Sequence, residues 1–281
     1  MEVGLSNKKI AFIIQARMQS TRLPGKILLP IPLGNGKPLL SWIIDEVKMS
    51  KYKAEIIIAT SVNSENDILV SFCEQNQVHC YRGDEEDVLS RFIAIAKNGN
   101  YDCIVRLTAD NPIIDCAILD ETIFHHFNET NNYTSTDGLP TGMNFEVIST
   151  KTLLDVENYS LTAADREHVT LFVKNSGKYS LGVYKPRINP LLKTLRLTVD
   201  YPSDYALLSS ILTQSVSDRN QNGIKLVEKT FNLHPWLFET NSNNFQKIHF
   251  NDVSQELKAA IDFLNQFDFH RAADLLKKLN D

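Results

Sequence analysis

The feature that most constrains the fold is an alternation of short apolar runs and amphipathic segments in the first half of the chain. The apolar runs have the length and composition of buried strands, and they lie at residues 9–15, 54–60, 78–81 and 102–108. Amphipathic patterns typical of helices separate or follow these runs, at residues 38–49, 64–75, 86–97 and 116–128. This order predicts an α/β fold with a mostly parallel sheet that is covered on both faces. Ligands of such sheets bind outside the carboxyl ends of the strands, so the loops that follow residues 15 and 108 should face one crevice.

The second half of the sequence is less regular. Strand-like runs are predicted at residues 145–149, 179–185 and 194–199. A helix is predicted near residues 164–175, and residues 203–240 read as mainly helical. Residues 253–280 have the pattern of an amphipathic helical pair. We therefore expect one α/β domain over residues 1–245 and a helical C-terminal extension over residues 246–281.

Composition excludes several classes of protein. The formal net charge is −5, which argues against a general nucleic-acid binder. The start lacks the pattern of a signal peptide, and the apolar run at residues 10–14 is far shorter than the roughly 20 residues of a membrane span. We expect a cytoplasmic protein with no membrane partner. The cysteines have no CxxC spacing and read as reduced thiols; they are Cys73, Cys80, Cys103 and Cys116.

Positive charge is concentrated near the N-terminus, within IIQARMQSTRLPGK at residues 13–26. Arg17, Arg22 and Lys26 lie within ten residues that contain no acid, and Gly25 allows close approach of the backbone. The segment is neither a Walker A motif nor a GxGxxG fingerprint. It is either a solvated basic loop or an anion site, and several fixed cations are what a triphosphate requires during nucleotidyl transfer.

The same loop resembles the signature loop of the sugar-nucleotide cytidylyltransferases, the group that includes CMP-KDO and CMP-sialic acid synthetases. It is most similar to the SpsF branch, the spore coat polysaccharide cytidylyltransferases, in which ARMxSTRLPGK is typical. Further segments resemble that branch in the same order: RGDEEDVLSRF at 82–92, VRLTADNPIID at 105–115, DREHVT at 165–170 and LTVDYPSDYALL at 197–208. The chain departs from the family in LLPIPLGNGKPLL, where Pro32 and Leu33 predict a longer turn.

The resemblance implies a Rossmann-like mononucleotide-binding fold and a Mg²⁺-dependent reaction. An acceptor oxygen attacks the α-phosphate of a nucleoside triphosphate, with CTP favoured, and pyrophosphate leaves. Asp110 and Asp200 occupy the family's metal-binding positions, and Arg17, Lys26 and Asp110 are the catalytic candidates. From the residues alone, Asp110 could instead cap a helix or lie in a turn, and Asp200 could form an Asx turn before Pro202.

The resemblance also implies positions for the two substrates. Nucleotide-binding candidates besides the loop cations are Gln15, Ala16, Gly25, Thr60, Arg82, Asp87 and Arg106. Asp87 could equally be a helix N-terminal acid, and Arg106 could pair with an acid elsewhere. A sugar-like or phosphorylated acceptor would bind within residues 131–200, a subregion that would also form a homodimer interface. The acceptor candidates are Glu146, Arg166, Glu167 and His168, of which His168 could also be structural.

The leading hypothesis is a cytidylyltransferase that activates a sugar or related acidic metabolite for surface glycan assembly. One alternative keeps the fold but uses GTP or another triphosphate with a sugar phosphate. A nucleotide-sugar-dependent glycosyltransferase is a second alternative, but such an enzyme should carry a DxD pair at a strand end, and this sequence has none there. A binding protein without activity is a third alternative. The presence of Lys26, Asp110 and Asp200 argues against it.

Overall fold

The computed structural model describes residues 7–217, 222–244 and 253–280. The strands are β1 (Ile10–Gln15), β2 (Pro30–Ile31), β3 (Lys37–Pro38), β4 (Glu55–Ser61), β5 (His79–Gly83), β6 (Cys103–Thr108), β7 (Tyr133–Thr136), β8 (Glu146–Ser149) and β9 (Leu181–Tyr184). The helices are α1 (Leu39–Val47), α2 (Asp67–Gln75), α3 (Val88–Gly99), α4 (Cys116–Asn128), α5 (Thr150–Asp155), α6 (Ala163–Glu167), α7 (Leu171–Asn175), α8 (Pro202–Ser217), α9 (Gly223–Leu233), α10 (Val253–Gln266) and α11 (His270–Asn280). Short 3₁₀ helices lie at Lys26–Leu28, Ser64–Asn66, Val156–Asn158, Pro190–Thr194 and Pro235–Asn241.

Within the described residues, the main sheet has seven strands in the order β5-β4-β1-β6-β8-β7-β9. The four strands from the first half of the chain, β5, β4, β1 and β6, pair in parallel. β8 pairs antiparallel with both β6 and β7, and β7 pairs in parallel with β9. The mostly parallel α/β sheet expected from the sequence is therefore confirmed. A separate hairpin of β2 and β3 contains the extended turn at residues 32–36.

Strand β1, which lies between β4 and β6, shows why this sequence forms a buried parallel strand. Its residues are apolar in succession, and the side chains alternate between two hydrophobic cores. Ile10, Phe12 and Ile14 contribute to the core that includes helix α1, whereas Ala11 and Ile13 contribute to the core that includes helix α3. Both faces of the sheet are thus covered, and its carboxyl edge is where the loops are free to form a site.

Two details of the second half differ from the sequence prediction. The helix expected near 164–175 is two short helices, α6 and α7, because Val169 between them has a φ of 54°. This left-handed conformation is incompatible with continuing an α-helix. The strand expected at 194–199 is instead a single bridge between Thr141 and Arg196. The apolar side chains of this segment are buried all the same. The apolar pattern of residues 194–199 therefore indicated burial correctly but did not indicate a strand of the sheet.

The chain separates into two compact units, residues 1–243 and 244–281. The expected boundary at residue 245 falls on residues 245–252, which lie outside the described ranges. Helices α10 and α11 form the predicted pair within the second unit. Across the described chain, no helix has the length and apolarity needed to cross a membrane. All four cysteines are free thiols, as the sequence predicts.

Candidate active site

The loop after β1 is fixed to the carboxyl edge of the sheet by backbone hydrogen bonds. The Ala16 amide donates to Ala59 O of β4 at 3.0 Å, and the Ala109 amide donates to Gln15 O at 3.0 Å. Further along, Gly25 has a φ of 68°, a conformation that glycine adopts without steric cost. Its amide donates to Met18 O at 3.1 Å, which closes the loop immediately before Lys26. The loop therefore lies between the ends of β4 and β6, as the parallel topology predicts.

Lys26 is the centre of a buried ionic cluster. Its Nζ donates to Asp110 Oδ2 at 2.9 Å, to Asp200 Oδ1 at 2.9 Å and to Val199 O at 2.7 Å. These three bonds use all the donors of an ammonium group, and the residue is 9% exposed. We call Lys26, Asp110 and Asp200 the lysine-centred cluster. It joins residues that are up to 174 positions apart in the sequence.

Asp200 is surrounded by positive charge. Besides Lys26, it pairs with Arg22 Nη2 at 3.2 Å and with Arg196 Nη2 at 2.8 Å. Burial by itself would raise the pKa of Asp200, but Lys26, Arg196 and Arg22 outweigh it and hold the pKa below its ordinary value. Asp200 is therefore ionised at neutral pH.

Asp204 holds the backbone of the segment that carries Asp200. It is fully buried, and its carboxylate accepts the backbone amides of Asp200 and Tyr201, both at 2.9 Å. Arg196 Nε and Asn241 Nδ2 donate to its other oxygen at 3.0 and 2.8 Å. Asp204 is thus a structural support at the start of α8 that fixes the backbone carrying Asp200.

The three loop cations predicted to bind phosphate do not all lie together. Arg22 joins the Asp200 side, where its guanidinium stacks on the Tyr201 ring at 4.5 Å and donates to the Tyr201 hydroxyl at 3.0 Å. Arg17 turns the other way and pairs with Glu85 at 3.2 Å, with 55% of its side chain exposed. The loop thus presents two cations at the lysine-centred cluster and one nearer the loop that precedes α3.

The other nucleotide candidates have different surroundings. Thr60 is completely buried and its Oγ1 has no hydrogen-bond partner within the described residues. Arg82 donates to the carbonyl oxygens of residues 61–63 and pairs with Asp67, so it supports the loop after β4. Asp87 caps helix α3 through the Ser90 amide at 2.9 Å and also pairs with Arg166. Their proposed contacts with a nucleotide stay predictions.

A cavity of about 350 Å³ is lined by residues of β6, β7 and β8 and by Asn111, which follows Asp110 in the sequence. Its lining comprises Arg106, Leu107, Thr108, Asn111, Ile114, Tyr133, Ser135, Thr136, Gly142, Asn144, Phe145, Glu146 and Lys174. Hydroxyl and amide side chains share this wall with a few apolar ones. Such a surface suits a small polyhydroxylated molecule.

A carboxylate surrounded by donors forms one wall of the cavity. Glu146 accepts hydrogen bonds from Arg106 Nη1 at 2.5 Å, Tyr133 Oη at 2.6 Å, Thr170 Oγ1 at 3.0 Å and Lys174 Nζ at 3.1 Å. We call these five residues the glutamate-centred cluster. Burial would raise the pKa of Glu146, but Arg106 and Lys174 reverse that effect and lower it to about 2. Two cations face one carboxylate, so the cluster carries a surplus positive charge.

The acceptor candidates divide in the structure. Glu146 lines the cavity, whereas Arg166, Glu167 and His168 are not among its lining residues. Arg166 pairs with Asp87 on α3, and Glu167 lies on the exposed surface of α6. Of the DREHVT segment, Thr170 reaches the glutamate-centred cluster instead.

Several site residues were missed by sequence reasoning. They are Arg196, Tyr133, Thr170 and Lys174. The four-residue spacing of Arg196, Asp200 and Asp204 was a usable signal for one of them. Tyr133 and Lys174 had none, because their positions depend on how β7 and α7 pack beside β8.

The lysine-centred cluster has the chemistry of a cation site. Two carboxylates face one point, and the cation at that point is the ammonium of Lys26. In the part of the chain that the structure describes, no three His, Cys, Asp or Glu side chains are grouped to hold a metal. A divalent ion here would have two protein carboxylates and would complete its shell with water or phosphate oxygens, as Mg²⁺ commonly does.

Comparisons with known proteins show what the whole chain is similar to. A family model described as Cytidylyltransferase matches residues 11–224. The chain is 36% identical over 208 residues to the spore coat polysaccharide biosynthesis protein SpsF of Bacillus subtilis strain 168, covering 72% of this chain and 85% of that protein.

Solved structures support the same likeness. A cytidylyltransferase from Leptospira borgpetersenii serovar Hardjo-bovis is 28% identical and superposes with a TM-score of 0.75, covering 86% of this chain and 100% of that one. CMP:2-keto-3-deoxy-manno-octonic acid synthetase, solved in complex with CTP, has a TM-score of 0.57 at 14% identity and covers 74% of this chain and 99% of that one. This last likeness concerns the fold alone.

Proposed function

We propose that this chain, which belongs to the cytidylyltransferase family and is a nucleotidyltransferase, transfers CMP from CTP to a second substrate. The acceptor would be a sugar or a related acidic molecule, and pyrophosphate would be released. The observation that carries the proposal is that Asp110 of the lysine-centred cluster lies in the chain between Thr108 and Asn111, both of which line the polar cavity. A triphosphate at the cluster and an acceptor in the cavity would bring the reacting oxygen next to the α-phosphate. Aligning two anionic substrates in this way supplies much of the catalysis in such reactions.

The proposed roles follow from charge and position. Asp110 and Asp200 would hold Mg²⁺, which neutralises phosphate charge when bound. Lys26 and Arg22 would bind the triphosphate from the loop side, and Arg17 would approach it from the Glu85 side. Fixed cations of this kind stabilise the charge that develops on the phosphoryl oxygens. Gln15 and Ala16 would face the nucleoside, and Thr60 would lie behind them because it is completely buried.

The acceptor would occupy the 350 Å³ cavity. Glu146 already accepts four protein hydrogen bonds, so its role would be to orient Arg106 and Lys174. The surplus positive charge of the glutamate-centred cluster favours an acceptor with one anionic group. The side chains of Asn111, Ser135 and Asn144 would bind its hydroxyl groups.

The name of the relative SpsF supports a role in polysaccharide biosynthesis for this chain as well. A catalytic domain over residues 1–245, with residues 131–200 serving the acceptor and a dimer interface, and a helical extension over 246–281, are parts of the same proposal. A cytoplasmic location and a homodimer also stay predictions. The oligomeric state is open to measurement by light scattering.

The decisive experiment is pyrophosphate release from each of the four nucleoside triphosphates with Mg²⁺, against a panel of sugar acids and sugar phosphates. We expect release from CTP with at least one anionic sugar, and release about 10³-fold slower in Asp110→Asn. Lys151→Met, a change of an exposed lysine on α5, is the matched surface control and should behave as the wild type. Release from GTP but not from CTP would overturn the assignment of the base.

A further inference from the structure

The most unusual feature of the site is that a protein cation fills the point where the two metal-ligand candidates meet. Lys26 Nζ lies 2.9 Å from an oxygen of Asp110 and 2.9 Å from an oxygen of Asp200. The carbonyl of Val199 completes its hydrogen bonds at 2.7 Å. The side chain of Lys26 is 11% exposed, so the ammonium is held by the protein and scarcely by solvent.

The two carboxylates depend on Lys26 to different extents. Asp200 has two further cations, Arg22 and Arg196. Asp110 has Lys26 as its ion-pair partner within the described residues. A divalent ion that used both carboxylates would need the position of the ammonium, and two cations a few ångströms apart repel each other strongly in a partly buried site. A metal can therefore enter when Lys26 leaves.

We infer that Lys26 is an internal substitute for the metal, which keeps Asp110 and Asp200 paired until a triphosphate draws the ammonium away. This inference rests on the proposed metal role of the two aspartates. Lysine suits the task because its ammonium is a compact charge on a flexible stem, so it can exchange carboxylates for phosphates without movement of the backbone. Binding of the metal and binding of the triphosphate are then coupled, and each strengthens the other.

This arrangement has a functional consequence for the empty enzyme. Two facing carboxylates without a cation would repel each other and would also collect metal ions in the absence of substrate. With Lys26 between them, the nucleotide-free protein is electrostatically balanced at this point. The triphosphate, with about four negative charges, is the stronger partner for the ammonium and sets the order in which the site is filled.

The test measures metal binding by the full-length protein without nucleotide. Mn²⁺ is the probe, because binding removes its free-ion signal in electron paramagnetic resonance. We expect the wild type to bind weakly, with a Kd of about 1 mM or above, and Lys26→Met to bind about tenfold tighter or more, within the usual range of coupling between sites. Lys26→Arg keeps the charge and should bind as weakly as the wild type.

The location of the gained site is checked by a second substitution. In Lys26→Met combined with Asp110→Asn, the gain in Mn²⁺ affinity should disappear. A gain that survives in the double variant would overturn the inference, and so would equal affinities in the wild type and Lys26→Met. Lys26→Gln is a second neutral variant, whose amide can still donate hydrogen bonds between the carboxylates if the methionine variant does not fold.

Two outcomes separate this inference from the proposed function. Micromolar binding of Mn²⁺ by the nucleotide-free wild type would overturn the inference whatever the variants do, and CTP turnover would be unaffected by that result. If Lys26→Met gains an Asp110-dependent site while the wild type releases no pyrophosphate from CTP with any acceptor, the inference stands and the proposed reaction fails.

Discussion

The two ionic clusters of the site are opposite in construction. In the lysine-centred cluster one ammonium lies between two carboxylates, whereas in the glutamate-centred cluster one carboxylate lies between two cations. The first cluster is centred on a cation, and the second has one positive charge in excess of its carboxylate. Under the proposed function, the first would receive a metal ion and the triphosphate, and the second would receive an anionic acceptor.

The largest effect is expected where the metal would bind. Asp110→Asn keeps the shape of the side chain but removes the charge that pairs with Lys26. We expect kcat for CTP-dependent pyrophosphate release to fall about 10³-fold, the upper range for loss of one strong electrostatic contribution. Saturating Mg²⁺ should not restore the rate. Near-normal turnover in this variant would place the metal outside the lysine-centred cluster. The proposed division of roles between the two clusters would then be wrong.

The next effect concerns the cation of the same cluster. Lys26→Ala should lower kcat by about 10²-fold, because a donor aimed at the developing phosphate charge is lost. Steady-state kinetics at saturating CTP would measure this effect, with Lys151→Met as the surface control. Unchanged turnover would remove Lys26 from the mechanism.

The glutamate-centred cluster should affect stability as well as acceptor binding. Glu146→Gln leaves Arg106 and Lys174 without their counter-charge and should lower the free energy of unfolding by about 2 kcal/mol at pH 7. The pKa of Glu146 is lowered from 4.5 to about 2, so its stabilisation is complete above pH 4.5 and is lost as the pH falls toward 2. The difference between variant and wild type in urea unfolding should therefore shrink between pH 5 and pH 3. If the difference in free energy of unfolding did not change with pH, the charge of Glu146 would not be what stabilises this cluster.

The smallest effect is expected at the rim of the cavity. Lys174 is 38% exposed at its side chain, and its one ion pair within the described residues is with Glu146. Lys174→Met should raise KM for an anionic acceptor about fivefold to tenfold and leave KM for CTP and kcat unchanged, as loss of one ground-state contact does. A rise in KM for CTP instead would mean that both clusters belong to one substrate site.

Lys26, Asp110 and Asp200 could be named from the sequence because they occupy matching positions in the motifs of the family that the chain resembles. In the structure Lys26 lies at the end of the loop after β1, and Asp110 follows β6. Asp200 follows a buried stretch that is not a strand of the main sheet. The sequence also predicted the parallel half of the sheet, since its strands are short, apolar and separated by helices. Local patterns suffice in these regions because burial on both faces leaves few alternatives.

The contacts between distant residues could not be predicted in the same way. Glu146 was predicted to contact an acceptor, and nothing in the sequence indicated that its oxygens accept hydrogen bonds from four protein donors in three separate segments. The break at Val169 was also hidden, because a β-branched residue with a positive φ contradicts local preference and requires tertiary packing to hold it.

Taken by itself, the sequence determined the α/β architecture and the position of the basic loop at the carboxyl end of the first strand. Those features depend on periodicity and on residue type, which are local. The two aspartates were named through the resemblance of their segments to a known family. Tertiary structure alone decided that Lys26 occupies the point between Asp110 and Asp200, and that Arg17 turns away from it. These outcomes depend on competition among charges that the fold brings together from distant parts of the chain. The distances between those charges cannot be read from the spacing of the residues in the sequence.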